Sequence, residues 1–133
     1  MIQAVGIDSV DITRFEGWTS RPDHELKKIF SRQEIAYCLQ NQQKAPERFA
    51  ARFAVKEALF KALSDVLPNN ELPFLTVCKN VSIEQEENGN PQISINWQNI
   101  TPNKPSKTTY KSIVSITHTK SIATAIVIIV ENP

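Results

Sequence analysis

The chemistry that this sequence can support begins with two acidic side chains, Asp8 and Glu57, at positions where the pattern predicts packing rather than solvent. Magnesium takes oxygen ligands in proteins, typically one or two carboxylates completed by substrate phosphates and water. Basic side chains nearby would bind the remaining phosphate charge. The residue types therefore favour phosphoryl chemistry, provided that the fold brings the two carboxylates together.

Cations surround Glu57 in the same predicted helix. Lys61 lies four residues after Glu57, so the two are neighbours on one helical face. Lys56 falls within an apolar stripe of this helix, and Arg52 lies at the edge of that stripe. Either their alkyl stems pack while the charged ends reach water, or both cations face an anion at a cleft or subunit boundary. The sequence leaves both possibilities open.

Each of these residues also has an ordinary structural explanation. An acid near a strand end can be a solvated cap, and a Glu–Lys pair at this spacing is usually a surface ion pair worth about 0.3–0.5 kcal/mol. His118, which shares strand parity with Val114 and Ile116, can be a hydrogen-bonded structural residue. The spacing alone does not show that Asp8 and Glu57 meet.

Alternation and helical periodicity predict the elements that position these residues. Residues 2–12 alternate as a strand with Asp8 on its small and apolar face. Ser31 and Glu34 form a capping-box signature for a helix over residues 31–42. A longer helix is predicted over residues 46–67, with no internal Gly or Pro before Pro68.

The remainder of the sequence predicts β structure. Alternation over residues 81–85 and 93–97 flanks Asn88-Gly89-Asn90-Pro91, a hairpin signal. Residues 99–111 are polar and read as a loop. Residues 113–118 and 123–130 then predict a second strand pair around Thr119-Lys120-Ser121. The last strand is apolar on both faces, as a central or interface strand would be.

Length and composition limit the class of protein. The 133 residues fit one domain, residues 1–133, and the net charge of +1 argues against a general nucleic-acid binder. The apolar run 122–130 is too short to cross a bilayer, and no basic leader precedes the first strand. Cys38 and Cys78 lack CxxC spacing. We therefore expect reduced thiols and a cytoplasmic location.

Three segments in order resemble a known family. They are GIDSVDITR at residues 6–14, RFAVKEALFKA at residues 52–62 and SITHT at residues 115–119. Together they resemble holo-(acyl-carrier-protein) synthase, the small single-domain type of 4′-phosphopantetheinyl transferase. The resemblance runs from the first predicted strand to the last, and it implies an α+β fold in which a small antiparallel β-sheet packs on a long central helix.

The resemblance also implies a reaction. The 4′-phosphopantetheine arm of coenzyme A would pass to a serine of an apo-acyl carrier protein, with Mg²⁺ required and adenosine 3′,5′-bisphosphate released. Family members of this length are commonly trimers that share active sites between subunits, so a homotrimer is expected. No nucleic-acid or membrane partner is implied. Whether the carrier serves fatty-acid or secondary metabolism stays open.

Site residues follow from the same resemblance, position by position. Asp8 and Glu57 match the magnesium ligands, and Glu57 is also the candidate general base, directly or through a water molecule. Lys61 matches a lysine beside the pyrophosphate and is expected to take part in catalysis. Arg52, Lys61 and His118 match coenzyme A-binding residues. Arg14 matches an arginine that meets the acidic recognition helix of the carrier protein.

Four residues, in three parts of the sequence, depart from the family pattern. Ser64 and Asp65 stand where relatives usually have a glycine-rich run, Phe60 replaces a frequently small residue, and Asn90 replaces a frequent lysine. These departures keep two further hypotheses in view. One is a non-catalytic relative that binds carrier protein or coenzyme A; the other is a purely structural or oligomerising domain.

Overall fold

A three-stranded antiparallel sheet forms the base of the molecule. The computed structural model describes residues 1–67, 72–85, 88–100 and 109–132. Strand β1 (Ile2–Asp11) and strand β4 (Thr109–His118) flank the central β5 (Ile122–Asn132). The central position explains the doubly apolar sequence of β5, as predicted. Thr119 to Ser121 form the turn between β4 and β5, also as predicted.

A separate two-stranded sheet pairs β2 (Val81–Gln85) with β3 (Pro91–Ile95) in antiparallel register. Gly89 in the connection has a φ of +84°, which favours glycine. The prediction that alternation continues to Trp97 is wrong, because Trp97 begins a short helix, α5 (Trp97–Ile100). The predicted loop over residues 99–111 overlaps α5 and β4 at its ends, and residues 101–108 of it lie outside the described residues.

Both longer predicted helices are present. Helix α2 (Arg32–Leu39) begins at the predicted capping box: the Ser31 hydroxyl accepts from the Glu34 amide at 3.2 Å, and the Glu34 carboxylate accepts from the Ser31 amide at 2.6 Å. Helix α3 spans Ala45–Val66. Besides α5, three short helices were not predicted, because none contains a long periodic pattern: a 3₁₀ helix (Ile12–Ser20), α1 (Asp23–Leu26) and α4 (Phe74–Lys79). No helix in the described part of the chain is long and apolar enough to cross a membrane.

Helix α3 is buried on almost its whole circumference between residues 49 and 63. One side packs on the inner face of the sheet, where β5 contributes Ala123, Ala125, Val127 and Ile129. The opposite side packs on an aromatic cluster from the 3₁₀ helix and its neighbours, including Phe15, Trp18 and Phe30. This sheet-on-helix arrangement is the predicted α+β fold.

Gly6 sets how closely β1 approaches α3. A Cβ atom at this position would lie 1.8 Å from the backbone oxygen of Ala58 and 3.1 Å from the amide nitrogen of Ala62. Backbone atoms cannot move aside as a flexible side chain does, so only glycine permits this contact. The contact lies two residues from Asp8 in β1 and one residue from Glu57 in α3, and it therefore fixes the strand and helix positions of both carboxylates.

Both interpretations offered for Lys56, a side chain that snorkels to water and a cation at a cleft, are wrong. Its side chain neither snorkels to water nor faces a cleft, because it is fully buried. The ammonium group lies 2.7 Å from the Glu34 carboxylate, which is also buried, and donates to the backbone oxygens of Ile29 and Cys78. The second oxygen of Glu34 accepts from the amide of Ile83. This pair joins α2, α3, α4 and β2 internally.

The sheet face that points away from α3 is rich in exposed apolar side chains. The strand register aligns Val5, Ile128 and Ile113 in one row across the sheet, and Ile7, Ile126 and Ser115 in the next. Val5, Ile7 and Ile113 are each about half exposed, at 50%, 57% and 48%. We call these two rows the outer face. An exposed contiguous apolar surface of this kind is typical of an interface.

Candidate active site

Helix α3 crosses the inner face of the sheet obliquely and contacts both edge strands. Near its C-terminus, the Lys61 ammonium lies 3.0 Å from the Asp8 carboxylate on β1. Near its N-terminus, the Glu47 carboxylate lies 3.0 Å from His118 Nε2 on β4. The helix rises about 1.5 Å per residue, so the backbone positions of Glu47 and Lys61 are separated by about 21 Å along its axis. The predicted site residues thus fall into two groups.

The first group, which we call the carboxylate site, comprises Asp8, Glu57 and Lys61. Burial raises the pKa of Glu57, and the Asp8 charge raises it further, while Lys61 and Arg14 act in the opposite direction. Lys61 contacts Asp8 and lies one helical turn from Glu57, so both carboxylates lie near one ammonium group. A carboxylate whose pKa is raised is also a better proton acceptor.

The donor chemistry of the carboxylate site fits a hard divalent cation. Lys61 donates to a carboxylate oxygen of Asp8 and, also at 3.0 Å, to the backbone oxygen of Ile7. A positive group is therefore already held here by oxygen atoms, the ligand type that magnesium prefers. Across residues 1–67, 72–85, 88–100 and 109–132, no cluster of three or more His, Cys, Asp or Glu side chains could hold a metal. Substrate phosphates and water would have to complete the coordination.

The second group lines a cavity of about 240 Å³ at the other end of α3. We call it the basic cavity; its polar lining includes Tyr37, Lys44, Glu47, Arg48, Arg52 and His118. Gly89 and Pro91 of the β2–β3 hairpin complete one wall. Three cations and a histidine against one carboxylate make this cavity suited to an anionic ligand.

Arg52 is the most constrained cation of the basic cavity. It is only 4% exposed, and its guanidinium group lies 4.2 Å from the ring centroid of Tyr37. Its Nε atom is buried and has no hydrogen-bond partner among the described residues. An unsatisfied buried donor of a charged group is costly, so this atom favours an anionic partner in the cavity.

Arg48 and Tyr37 line the basic cavity but were not among the binding candidates of the sequence analysis. Arg48 stacks on Tyr37 at 4.1 Å and donates to the Tyr37 backbone oxygen. Its spacing of four residues from Arg52 on the predicted helix could have identified it. Tyr37 belongs to a different helix, α2, and no local signal in the sequence connects it with α3.

Arg14 lies beside the carboxylate site. The side chain is exposed, and its guanidinium group stacks 4.7 Å from the ring centroid of Phe53. Its charge also lowers the pKa of Glu57. Arg14 thus presents a positive charge to solvent next to the predicted acid–base group.

Comparison with known proteins identifies the family. A model of the 4′-phosphopantetheinyl transferase superfamily matches residues 4–127. A curated holo-[acyl-carrier-protein] synthase of Treponema pallidum is 37% identical over 133 residues, covering 100% of this chain and 99% of that protein. The chain belongs to the 4′-phosphopantetheinyl transferase superfamily. It is an enzyme of the holo-[acyl-carrier-protein] synthase type.

Solved structures agree with this membership. A Helicobacter pylori holo-[acyl-carrier-protein] synthase in complex with coenzyme A is 28% identical, with a TM-score of 0.70 over 95% of this chain and 99% of that chain. A Bacillus anthracis holo-(acyl-carrier-protein) synthase, in complex with CoA (3′,5′-ADP), is 25% identical, with a TM-score of 0.72 over 100% of this chain and 99% of that chain. The fold and the family expected from the three sequence segments are both confirmed.

Proposed function

We propose that this protein transfers the 4′-phosphopantetheine arm of coenzyme A to a serine of an apo-acyl carrier protein, requires Mg²⁺ and releases adenosine 3′,5′-bisphosphate. The convergence of Asp8, Glu57 and Lys61 at one point between β1 and α3 carries this proposal. The family membership supports it. A non-catalytic binding role would not need two interacting carboxylates beside a lysine.

In the proposed reaction, the serine hydroxyl attacks the β-phosphorus of coenzyme A. A new Oγ–P bond forms, and the bond from phosphorus to the bridging pyrophosphate oxygen breaks, so the bisphosphate leaves with that electron pair. Glu57, with its raised pKa, accepts the serine proton. Lys61 binds the negative charge that develops on the leaving group. Mg²⁺ held by Asp8 and Glu57 would supply further charge neutralisation when bound.

The basic cavity is the proposed site for the bisphosphate end of coenzyme A. The buried Nε atom of Arg52 is a donor without a partner among the described residues. Arg48, like Arg52, stacks on the ring of Tyr37 in the wall of the cavity. His118 faces the cavity from β4, where it contacts Glu47. An arginine beside a histidine at a cavity wall suits phosphate recognition, because both donate to anionic oxygens.

The two groups lie on opposite edge strands, which favours a site shared between protomers. Asp8 on β1 and His118 on β4 are separated by the whole of β5, about 10 Å across the sheet, and are offset along it. A homotrimer with the outer faces packed together would cover the apolar rows and could bring β1 of one protomer near β4 of the next. Each shared site would then combine one carboxylate site with one basic cavity.

Disruption of the outer face tests the shared site. Ile126→Asp places a charge in the middle of this face and is expected to convert the oligomer to monomers, measured by light scattering, with loss of transfer. Leu75→Asp, which removes an exposed apolar side chain on α4, is the matched control. Mixing Asp8→Asn with His118→Ala, each strongly impaired when alone, should restore about a quarter of the sites in a randomly mixed trimer. Failure of the mixture to regain any activity would contradict sharing.

Arg14 and His118 are expected to affect different substrates. Arg14→Gln should raise KM for the acidic carrier protein about tenfold and leave KM for coenzyme A unchanged, because its charge is exposed beside the carboxylate site. His118→Ala, assayed at its residual activity, should raise KM for coenzyme A and leave KM for the carrier protein unchanged. Steady-state kinetics with each substrate varied in turn provide the measurement. Equal effects on both KM values would contradict the assignment.

Mass spectrometry tests the proposed function directly. The protein is incubated with apo-carrier protein, coenzyme A and Mg²⁺, and the carrier is then weighed. A gain of one phosphopantetheine mass that disappears with a chelator is the expected result. Bound coenzyme A without any gain would instead indicate the binding-only relative, which Ser64 and Asp65 in place of a glycine-rich run had kept in view.

We also place the protein in the cytoplasm, a proposal consistent with two buried free thiols. Fractionation of cells would test this location.

A further inference from the structure

The ammonium group of Lys61 is already bound by two oxygen atoms of this chain. It does not point into open solvent but donates to Asp8 and to the backbone oxygen of Ile7, both at 3.0 Å. The Asp8 side chain is 17% exposed, whereas that of Lys61 is 53% exposed. The lysine therefore covers the acid from the solvent side.

The same oxygen atom cannot serve Lys61 and a divalent cation equally well. If the ion took Asp8 while the ammonium group stayed in place, two cations would lie within a few ångströms, where their repulsion is strong. Only the lysine can leave easily. Its backbone is fixed, since its neighbour Ala62 is buried and Ala58 is in contact with Gly6, but its half-exposed side chain can rotate into solvent.

We propose that Lys61 is the resident counter-cation of the carboxylate site. Before a metal binds, the ammonium group neutralises Asp8 against the nearby Glu57; when a divalent cation takes Asp8, the lysine is displaced and becomes free for the pyrophosphate. This inference rests on the proposed function. The new element is that the metal and Lys61 compete for the Asp8 carboxylate. Metal binding and phosphate binding both favour the displaced lysine, so each should increase the affinity for the other.

Metal affinity without coenzyme A tests this competition. Mn²⁺ binding, measured by electron paramagnetic resonance of the free ion, is compared between the wild type and Lys61→Met, which keeps an unbranched side chain of similar volume. Because the ion no longer displaces an ammonium group, Lys61→Met is expected to bind Mn²⁺ about two- to tenfold more tightly. Lys61→Arg keeps the positive charge and should retain an affinity close to that of the wild type.

Two controls separate competition from other effects. Lys28→Met removes one positive charge between α1 and α2, outside the carboxylate site, and should leave Mn²⁺ affinity unchanged. Asp8→Asn should weaken binding in both the wild-type and the Lys61→Met backgrounds.

Each result bears on a different claim. Unchanged or weaker Mn²⁺ binding in Lys61→Met, with clear binding in the wild type, would overturn the counter-cation role and leave the proposed metal site standing. Binding in neither protein would overturn the metal site and this inference together. Binding detected only in Lys61→Met would be the strongest form of the expected result.

Discussion

Glu57→Gln is expected to lower kcat by about 10²–10⁴-fold, the range typical for loss of a general base. The amide that replaces the carboxylate cannot accept the serine proton, although its oxygen can still face a cation. In the carboxylate site, burial and the charge of Asp8 raise the pKa of Glu57, which favours its role as a proton acceptor. The rate of mass gain of the carrier protein is the measurement.

Loss of activity in this variant is not expected to come from unfolding. Because the pKa of Glu57 is raised in the folded protein, its ionised form is less favourable there than in the unfolded chain. This penalty is fully present above the folded-state pKa, shrinks as the pH falls below it, and is gone below the lower pKa of the unfolded chain. Glu57→Gln should therefore melt at or above the wild-type temperature at neutral pH, and the difference should shrink in acid.

Asp65→Asn is the matched control for Glu57→Gln. Asp65 is an exposed acid two turns further along α3, so this variant removes the same charge from the same helix without touching the carboxylate site. It should keep wild-type activity. Near-normal turnover in Glu57→Gln, or an equal loss in Asp65→Asn, would refute Glu57 as the base.

Local patterns account for the elements that the sequence predicted correctly. The alternation of apolar and polar residues predicted that Asp8 lies on the inner face of β1. The capping box of Ser31 and Glu34 predicted where α2 begins. Both signals involve residues within one element, where the chain geometry alone determines which side chains are neighbours. The short helices were missed for the same reason, since four to nine residues contain too little periodicity to separate them from turns.

Contacts between elements could not be predicted from one sequence. The charge interaction of Asp8 with Glu57 depends on the close approach of Gly6 to Ala58, which joins residues about fifty positions apart. Glu34 was predicted as a cap, yet it is fully buried because α3 also presents Lys56 to it. The resemblance to a family supplied the site residues, and the structure supplied the reason why they fall into two groups.

Lys56→Met is expected to lower the free energy of unfolding by about 3–5 kcal/mol, the range for removing one partner of a buried ion pair. The Glu34 carboxylate would remain fully buried and lose its ammonium partner. The backbone oxygens of Ile29 and Cys78 would also lose a donor. Urea denaturation measures the change. The same substitution at the exposed Lys61 should cost only about 0–1 kcal/mol, so equal losses in the two variants would contradict a buried-pair role for Lys56.

A second substitution at Glu34 separates the charge from the hydrogen bonds. Glu34→Gln in the Lys56→Met background removes the uncompensated charge but turns one acceptor into a donor, and both carboxylate oxygens accept backbone amides, from Ser31 and from Ile83. We therefore expect the double variant to be less destabilised than the sum of the two single variants, yet less stable than the wild type. Simple addition of the two losses would mean that Lys56 stabilises the protein by packing alone. A loss smaller than the sum would locate the stabilisation in the Lys56–Glu34 charge pair, which holds α2 and β2 against α3.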